Sequence, residues 1–417
     1  MEFRALTDEQ YQEFIDQYDR VYLTQLVEYG DVRSAGGARV DRVGLIDDGK
    51  VVGAATVVYE PWARLFRRAI VHFGPMLDYD NADLVRTFMT ELKKWVMKNP
   101  RVIALRVNPY VIRRPYEDLE AGDATQRAQQ LDQVMAEVGG VPVEGDYFDG
   151  VDIHPIYLYS KNLEGMTYDE AFASFKNNVR TDIRNAAANG VRVEYLGPDD
   201  LDVIKKLLDH TEERTEMPHV EDSAIDLVRN MMVQMGTERY VYPVAVLDTK
   251  EALESIGDEL RVVEVEMAAL RPDEEGGAPT KKQQKQLKEL RFRYDALQRR
   301  RDKTLKVQQE RGERVILTAS LYVETPSDLI FHYSGGYDDL ASFRGVYAVH
   351  EAMIKRAIER GKRWYNMNVI RGVFEEGEPG FGLLDYKRHF QGTVEELVGT
   401  YEFPLRPFLA KKLGATR

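Results

Sequence analysis

The chain has 417 residues and a net charge of −13, so bulk attraction to nucleic acid is excluded and contact with a polyanion needs a local basic patch. It holds no cysteine, which excludes a disulfide framework and thiolate chemistry, and its seven histidines form no pair with metal-ligand spacing, so no metal site is expected. The length predicts two or three domains, and a hydrophobic fraction of 43% is typical of globular proteins.

The first half of the chain follows an α/β pattern. A helix is predicted over 7–18 because Thr7 is a capping residue, and a hairpin is predicted over 42–60, where two apolar runs flank Asp-Asp-Gly-Lys. The elements that follow are a strand, a helix with apolar residues at helical spacing, and a strand, over 69–79, 81–99 and 101–110.

The second half repeats this order. Helices are predicted over 168–190, 199–216 and 343–361. Strands are predicted over 191–196, 239–248, 314–324, 328–337 and 362–370. Because a hairpin, strand, helix and strand occur in both 42–110 and 314–370, weak duplication of one α/β unit is the economical interpretation.

An insertion in the second half has a different periodicity. Apolar residues recur at alternating steps of three and four over 253–270 and again over 287–297, with a Pro/Gly-rich turn between the two runs. Residues 248–275 carry ten acids and three bases (−7), whereas residues 280–314 carry thirteen bases and five acids (+8). Two helices that each carry an apolar heptad repeat and that have opposite charges predict an antiparallel coiled-coil hairpin. We call this hairpin the arm.

The segment GFGLLDYKRHFQG, residues 380–392, places Lys387 among aromatic side chains and between glycines. From the residues alone, two interpretations stay open. Either the segment is a surface loop with a lysine whose amine reaches water, or the segment holds the amine against apolar side chains for a chemical purpose.

Four stretches together resemble the FemABX peptidoglycan aminoacyltransferases. They are FGPMLDYDN (73–81), FKNNVRTDIRNAAANGVRVEYL (175–196), GVYAVHEAMIKRAIERGKRWYNMNVIRG (345–372) and GFGLLDYKRHFQGTVEELVGTYEFPL (380–405). The resemblance runs over about residues 1–405, and the arm favours the FemA/FemB branch.

The resemblance implies an α/β (α+β) fold with two tandem GNAT (acyl-CoA N-acyltransferase-like) domains plus the inserted antiparallel coiled-coil hairpin. The expected boundaries are domain 1 over 1–150, domain 2 over 151–247 and 314–417 including the C-terminal tail, and the arm over 248–313.

The implied activity is transfer of an amino acid from aminoacyl-tRNA to a side-chain amine of the peptidoglycan stem peptide. The acceptor is carried as lipid II or as UDP-MurNAc-pentapeptide, and the transferred amino acid, the diamino residue and the carrier stay open. No cofactor is expected, because the donor is an ester. A cytoplasmic location fits the charged amino terminus, which has no apolar signal core, and the absence of a long apolar run.

The resemblance also assigns residues. Lys387, paired with Tyr386 where the family has Phe-Lys, would be a fixed cation that stabilises the tetrahedral oxyanion. Arg180 would bind the acceptor diphosphate, together with Arg33 at a position where the family carries a lysine. The spacing itself adds Lys176 and Arg184, which step by four with Arg180 along one helix face in a pattern suited to phosphate, with a solvated face as the alternative. Tyr333 matches a family tyrosine that lines the substrate groove, with a half-buried strand aromatic as the alternative.

Asn108 marks a departure from the family, which often has an aspartate there as a proposed general base. An amide cannot take up a proton at neutral pH, so the base is left unassigned, with solvent, the substrate or a carboxylate such as Asp385 as alternatives. Asn108 could still orient the acceptor by hydrogen bonds.

The sequence leaves contacts with tRNA, the membrane and other proteins more open than it leaves the acceptor site. The basic residues of the second arm helix (Arg299, Arg300, Arg301, Lys303 and Lys306) are candidates for tRNA, but facing the acidic partner helix is the favoured interpretation. The basic C-terminal stretch RPFLAKKLGATR is a candidate for peripheral contact with tRNA or the inner membrane leaflet. A homo- or hetero-oligomer with related Fem proteins is left open.

Two rival functions remain at this point. One is an acyl-CoA-dependent N-acetyltransferase, for which RSAGGA (33–38) matches the letters of a pyrophosphate loop but precedes the hairpin instead of joining a strand to a helix. The other is a non-catalytic protein that binds tRNA or a wall precursor.

Overall fold

The computed structural model describes residues 1–62, 65–145, 147–149, 153–212, 219–270 and 280–412. Its strands are β1 (Glu2–Ala5), β2 (Arg39–Asp47), β3 (Lys50–Trp62), β4 (Phe66–Val71), β5 (Met76–Leu77), β6 (Val102–Val107), β7 (Ile112–Arg114), β8 (Tyr116–Glu117), β9 (Glu120–Ala121), β10 (Val141–Pro142), β11 (Tyr157–Asn162), β12 (Val191–Tyr195), β13 (Tyr240–Val241), β14 (Pro243–Asp248), β15 (Arg314–Glu324), β16 (Asp328–Gly336), β17 (Trp364–Val369), β18 (Thr393–Leu397) and β19 (Tyr401–Pro404).

Helices cover the sheets and form the arm. They are α1 (Asp8–Gln17), α2 (Val27–Ala35), α3 (Ala82–Met97), α4 (Gln126–Glu137), α5 (Tyr168–Ser174), α6 (Asn177–Ala188), α7 (Leu201–Glu212), α8 (Asp222–Met235), α9 (Thr249–Ala269), α10 (Lys281–Arg311), α11 (Gly345–Glu359), α12 (Phe381–Arg388) and α13 (Pro407–Lys412). Within the described ranges, no helix is both long and apolar enough to cross a bilayer.

Two open sheets organise these elements. The first has the order β1-β2-β3-β4-β6-β19-β10, with β5 on β3, and the second has the order β12-β14-β15-β16-β17-β11-β18-β7, with β13 on β15. The chain crosses between them, since β7 joins the second sheet and β19 returns to the first. The domain limits drawn from the sequence stay a prediction, and these two strands lie across them.

The same unit occurs in both sheets, as the duplication predicted. In each, two antiparallel pairs are followed by a parallel pair, namely β2-β3-β4-β6 and β14-β15-β16-β17. Helices α3 and α11 make the connection between the parallel strands. The repeat in the second half begins at β14, earlier than the predicted start at residue 314, because the arm interrupts its first hairpin.

The arm has the predicted form. Ile256, Leu260 and Val263 of α9 pack with Leu297 of α10 in an apolar cluster of their own. Arg300 of α10 lies 3.0 Å from Glu259 of α9, which matches the predicted pairing of opposite charges.

Two predicted elements differ from the structure. The helix expected over 168–190 is two helices, because Phe175 and Lys176 adopt extended backbone angles. Phe175 is buried against the ring of Phe390, with ring centroids 5.4 Å apart, so its burial outweighs the continuous helical pattern. The stretch 380–392 is not a surface loop, since it forms α12 and buries Lys387.

Candidate active site

Lys387 is a buried amine on the inner face of α12. Phe381, Leu384 and Lys387 follow the spacing of one helix face, and all three are buried. The helix begins at Gly380, whose φ of 95° suits glycine. The Lys387 Nζ donates hydrogen bonds to the backbone carbonyls of Met367, at 2.6 Å, and Val369, at 2.7 Å. The surface-loop interpretation is therefore wrong, and a chemical purpose for the buried amine stays a prediction.

Burial changes the charge state of this amine. It lowers the pKa of Lys387 from 10.5 to about 7. The sequence predicted a fixed cation, whereas a group with that pKa is close to half neutral at neutral pH. Lys387 therefore titrates near neutral pH, whereas an exposed lysine is almost fully protonated there.

The carbonyls that hold Lys387 lie where two parallel strands stop pairing. The ladder between β16 and β17 consists of Asp328 with Trp364, Leu329 with Tyr365 and Ile330 with Asn366. It ends there, although β16 runs on to Gly336 and β17 to Val369. Backbone groups beyond the end of a ladder are the ones that can bind an incoming chain or ligand.

An aromatic wall surrounds the amine. His350 on α11 has ring contacts with Tyr386 and Phe390, at centroid distances of 5.8 and 4.8 Å. Burial and the nearby Lys387 charge lower the pKa of His350 to about 3, so this histidine is neutral. Among the described residues, the Tyr386 hydroxyl and the His350 Nε2 have no hydrogen-bond partner although both are buried.

A chain of contacts connects Lys387 with the first domain. Asn368, between the two carbonyls that hold Lys387, has a φ of 63° and accepts a hydrogen bond from the Tyr22 hydroxyl at 3.0 Å. The Tyr22 ring stacks on Phe73 with centroids 3.9 Å apart. The backbone N–H of Phe73 donates to the side-chain oxygen of Asn108 at 3.0 Å. Asn108 is buried, and the structure gives it the role of fixing this loop.

Arg33 and Tyr333 approach the same region from opposite domains. Arg33, on α2, forms an ion pair with Glu60 at 3.1 Å. Its charge acts on Tyr29, whose pKa burial raises to about 12. The pKa of Tyr333, on β16, is likewise raised to about 12, by burial and by nearby tyrosines that include Tyr29. Tyr29 and Tyr333 thus form an aromatic cluster between the domains, beside Arg33, which we call the interdomain cluster.

The basic stripe on α6 lies on a different part of the surface. The Arg180 guanidinium donates to the carbonyl of Ala173 at 3.1 Å, and Arg184 lies over the ring of Phe172 at 5.3 Å. The backbone N–H of Lys176 donates to the carbonyl of His389, which places the start of α6 beside the end of α12. Among the described residues, no hydrogen bond or ion pair joins this stripe to Arg33, so a shared role in binding diphosphate stays a prediction.

The arm bases have several environments. Of the five candidate bases on α10, Arg300 contacts the acidic helix α9, as expected. Lys303 instead lies 3.5 Å from the ring centroid of Phe343, and Lys306 pairs with Glu310 of its own helix. The expectation that these charges face α9 therefore does not hold for Lys303 or Lys306.

Sequence reasoning did not find Tyr22, Asn368 or His350. The one signal available was the stretch YNMNV (365–369), which puts asparagines into an otherwise apolar buried strand, where polar groups need partners. In the described part of the chain no cluster of metal-ligating side chains occurs.

The profile of the FemAB family matches residues 6–415. The chain belongs to the FemAB family. An aminoacyltransferase FemA from Staphylococcus epidermidis is 26% identical over 411 residues, covering 97% of this chain and 96% of that protein. An aminoacyltransferase FemA from Staphylococcus aureus is 24% identical over 410 residues, with the same coverage of each chain. A solved structure of FemX is 18% identical, covers 99% of each chain and superposes with a TM-score of 0.78.

Membership of the FemAB family decides between the rival functions. The protein is an aminoacyltransferase of this family, with the α/β fold of FemX and a coiled-coil hairpin formed by α9 and α10. The RSAGGA stretch lies at the carboxyl end of α2, with Gly36 as its C-cap. Because a pyrophosphate loop presents N–H groups at a helix N-terminus, this position does not suit coenzyme A.

Proposed function

We propose that this FemAB protein transfers an amino acid from aminoacyl-tRNA to the side-chain amine of the diamino acid in a peptidoglycan stem peptide. The acceptor would be lipid II or UDP-MurNAc-pentapeptide. The observation that carries the proposal is the buried amine of Lys387, held by two carbonyls at the open end of the β16–β17 ladder. The names of its FemA relatives support the reaction class.

The reaction is aminolysis of an ester. The acceptor nitrogen attacks the ester carbonyl carbon, a C–N bond forms, the C–O bond to the tRNA ribose breaks, and the ribose oxygen takes up a proton. The attack places negative charge on the carbonyl oxygen. In its ammonium form Lys387 has three N–H groups, of which two are bound to Met367 and Val369, so the third is available to the oxyanion.

Burial makes this ammonium effective and also titratable. In a buried, low-dielectric site a single charge stabilises an oxyanion more strongly than it does in water. The same burial lowers the pKa of Lys387 to about 7, and the negative charge that develops on the oxyanion favours the protonated form.

The acceptor amine must be neutral when it attacks, and the group that takes its proton stays unassigned. Asn108 does not fill this role, because an amide is not a base and its oxygen is bound to the Phe73 N–H. Arg33, beside the interdomain cluster, is proposed to bind acceptor phosphate, and the Tyr333 ring to contact the acceptor. The stripe of Lys176, Arg180 and Arg184 would act on a more distant part of the acceptor or on tRNA.

A transfer assay tests the proposal. Purified protein is given charged tRNAs, one labelled amino acid at a time, with UDP-MurNAc-pentapeptide and lipid II offered separately. We expect transfer that requires the tRNA and is lost in Lys387→Met, while affinity for the acceptor is nearly kept. Failure of every donor with both acceptors would overturn the proposal. An equal loss of transfer and of acceptor affinity in the variant would remove Lys387 from its assigned role.

A further inference from the structure

One end of the first sheet brings three chain segments together. The hairpin of β3 and β4 ends there, since Trp62 pairs with Phe66. The backbone N–H of Arg67 donates to the carbonyl of Arg101, just before β6, at 2.8 Å. The N–H of Arg406, between β19 and α13, donates to the carbonyl of Ile103 at 3.1 Å. We call the surface formed by these three segments the strand-end patch.

Three large apolar side chains of this patch are exposed to solvent. Leu65 is 67% exposed, Phe408 is 82% exposed and Met97, at the end of α3, is 42% exposed. Trp62, Phe66 and Leu409 lie half-buried against Ile103 and Ala410. Exposed apolar side chains gathered at one end of a sheet are typical of a site of contact with a partner or a membrane.

The charge of the patch is opposite to that of the whole protein. Residues 61–77, 95–116 and 403–417 contain no aspartate or glutamate, although the chain has a net charge of −13. The bases at the patch include Arg67, Lys98, Arg101, Arg406 and Lys412, of which Lys98, Arg101 and Lys412 are exposed. The patch therefore combines apolar side chains with a group of basic residues.

We propose that the strand-end patch docks the protein on an anionic membrane surface, with Leu65, Phe408 and Met97 in the interface and the bases at lipid phosphates. This combination gives both terms of interfacial binding, apolar burial and attraction to anionic headgroups. RNA would use the bases, but the aliphatic Leu65 and Met97 gain little from a phosphate backbone.

A single strand connects the patch with the interdomain cluster. β4 runs from Phe66 at the patch to Val71, and His72 and Phe73 follow, with ring contacts to Tyr29 and Tyr110. Seven residues of extended chain span about 23 Å. Resting on the proposed function, this position favours the lipid-linked acceptor over the nucleotide-linked one, because the membrane would present the lipid-linked head group on the side of the first domain that leads to this cluster.

Vesicle flotation of the full-length protein tests the patch. The probes are vesicles of phosphatidylcholine alone and vesicles of equal parts phosphatidylcholine and phosphatidylglycerol. We expect binding to the anionic vesicles only. The double variant Leu65→Ser/Phe408→Ser should weaken it roughly tenfold or more, and Arg101→Gln about fivefold. The matched controls on the arm are Val265→Ser, at a side chain 69% exposed, and Lys306→Gln.

Each outcome decides the proposal. Loss of binding in the patch variants, with the controls unchanged, supports it. Failure of the wild type to bind anionic vesicles overturns it, as does equal loss in controls and patch variants, or weakened tRNA binding in place of vesicle binding. Transfer to the soluble UDP-linked acceptor should be unchanged in the patch variants. If transfer to both the UDP-linked and the lipid-linked acceptor is absent in the wild type while vesicle binding is observed, the proposed function fails and the membrane-docking proposal is unaffected.

Discussion

The two halves of the molecule use one strand order and differ in two places. The first is the hairpin that opens each unit. β2 and β3 are joined by the turn at Asp48 and Gly49, both with positive φ, whereas β14 and β15 are joined by the whole arm. The first two strands of the unit can therefore be joined either by a tight turn or by two long helices, because both leave the paired strands in register.

The second difference concerns the parallel strands. β4 and β6 pair to their last residues, Val71 with Val107. β16 and β17 pair over three residue pairs and then stop, and Lys387 binds the carbonyls of Met367 and Val369, in the part of β17 that no longer pairs with β16. The parallel strands of the first half pair to their ends. Those of the second half separate early, and a buried amine lies where they separate. The comparison predicts that chemistry belongs to the second half and acceptor positioning to the first.

Removing the amine should have the largest effect. Lys387→Met deletes the third N–H that would meet the oxyanion, so we expect kcat to fall by about 10²–10³. The matched control is Lys362→Met, just before β17, since Lys362 also donates to a carbonyl, that of Thr325 at 2.6 Å. Single-turnover transfer measures both. A comparable loss in Lys362→Met would show that any semi-buried lysine of this domain has the same effect.

The pH profile tests which form of Lys387 is active. The neutral fraction of the acceptor amine rises tenfold per pH unit up to about 10.4. The ammonium fraction of Lys387 falls as pH rises through its pKa of about 7. If the ammonium is the active form, kcat/KM should rise tenfold per unit below pH 7 and level off above it.

A neutral Lys387 acting as the base would give a different curve. The rise would be a hundredfold per unit below pH 7 and would continue at tenfold per unit above it. That result, measured with subsaturating acceptor, would contradict the oxyanion role.

Breaking the hydrogen bond between Tyr22 and Asn368, which connects the two halves, should lower kcat less than removing the Lys387 amine does. Tyr22→Phe removes only the hydroxyl that binds Asn368, and Asn368→Gly removes its acceptor while tolerating the φ of 63°. Because a displaced Asn368 moves the carbonyls that hold Lys387, we expect each variant to lower kcat about tenfold.

The double variant separates positioning from general damage. Tyr22→Phe/Asn368→Gly should be no slower than the worse single variant, because both changes break one hydrogen bond. KM for the acceptor should change less than kcat. Losses that multiply would mean that the two residues act independently, and the connection would then have no role in positioning Lys387.

Sequence reasoning reached the parts of the molecule that depend on local pattern. Caps, turns and the heptad seam predicted most elements, and Lys387 was singled out by its aromatic neighbours. What it missed depends on contacts between distant segments. Tyr22 and Asn368 are 346 residues apart, and their hydrogen bond exists only because two domains pack together. The pKa of Lys387 likewise follows from burial by elements outside its own segment.

Shortening the arm should have the smallest effect and tests whether the two hairpins are equivalent. Residues 260–299, distal to the Glu259–Arg300 pair, can be replaced by a two-glycine turn of the kind that joins β2 and β3. This deletion removes apolar packing within the arm's own cluster and newly exposes Ile256, so the free energy of unfolding should fall by about 2 kcal/mol or less. Urea unfolding followed by circular dichroism measures this. A protein that no longer folds would show that the arm supports the second sheet, and the two halves would then differ in how they fold as well as in what they hold.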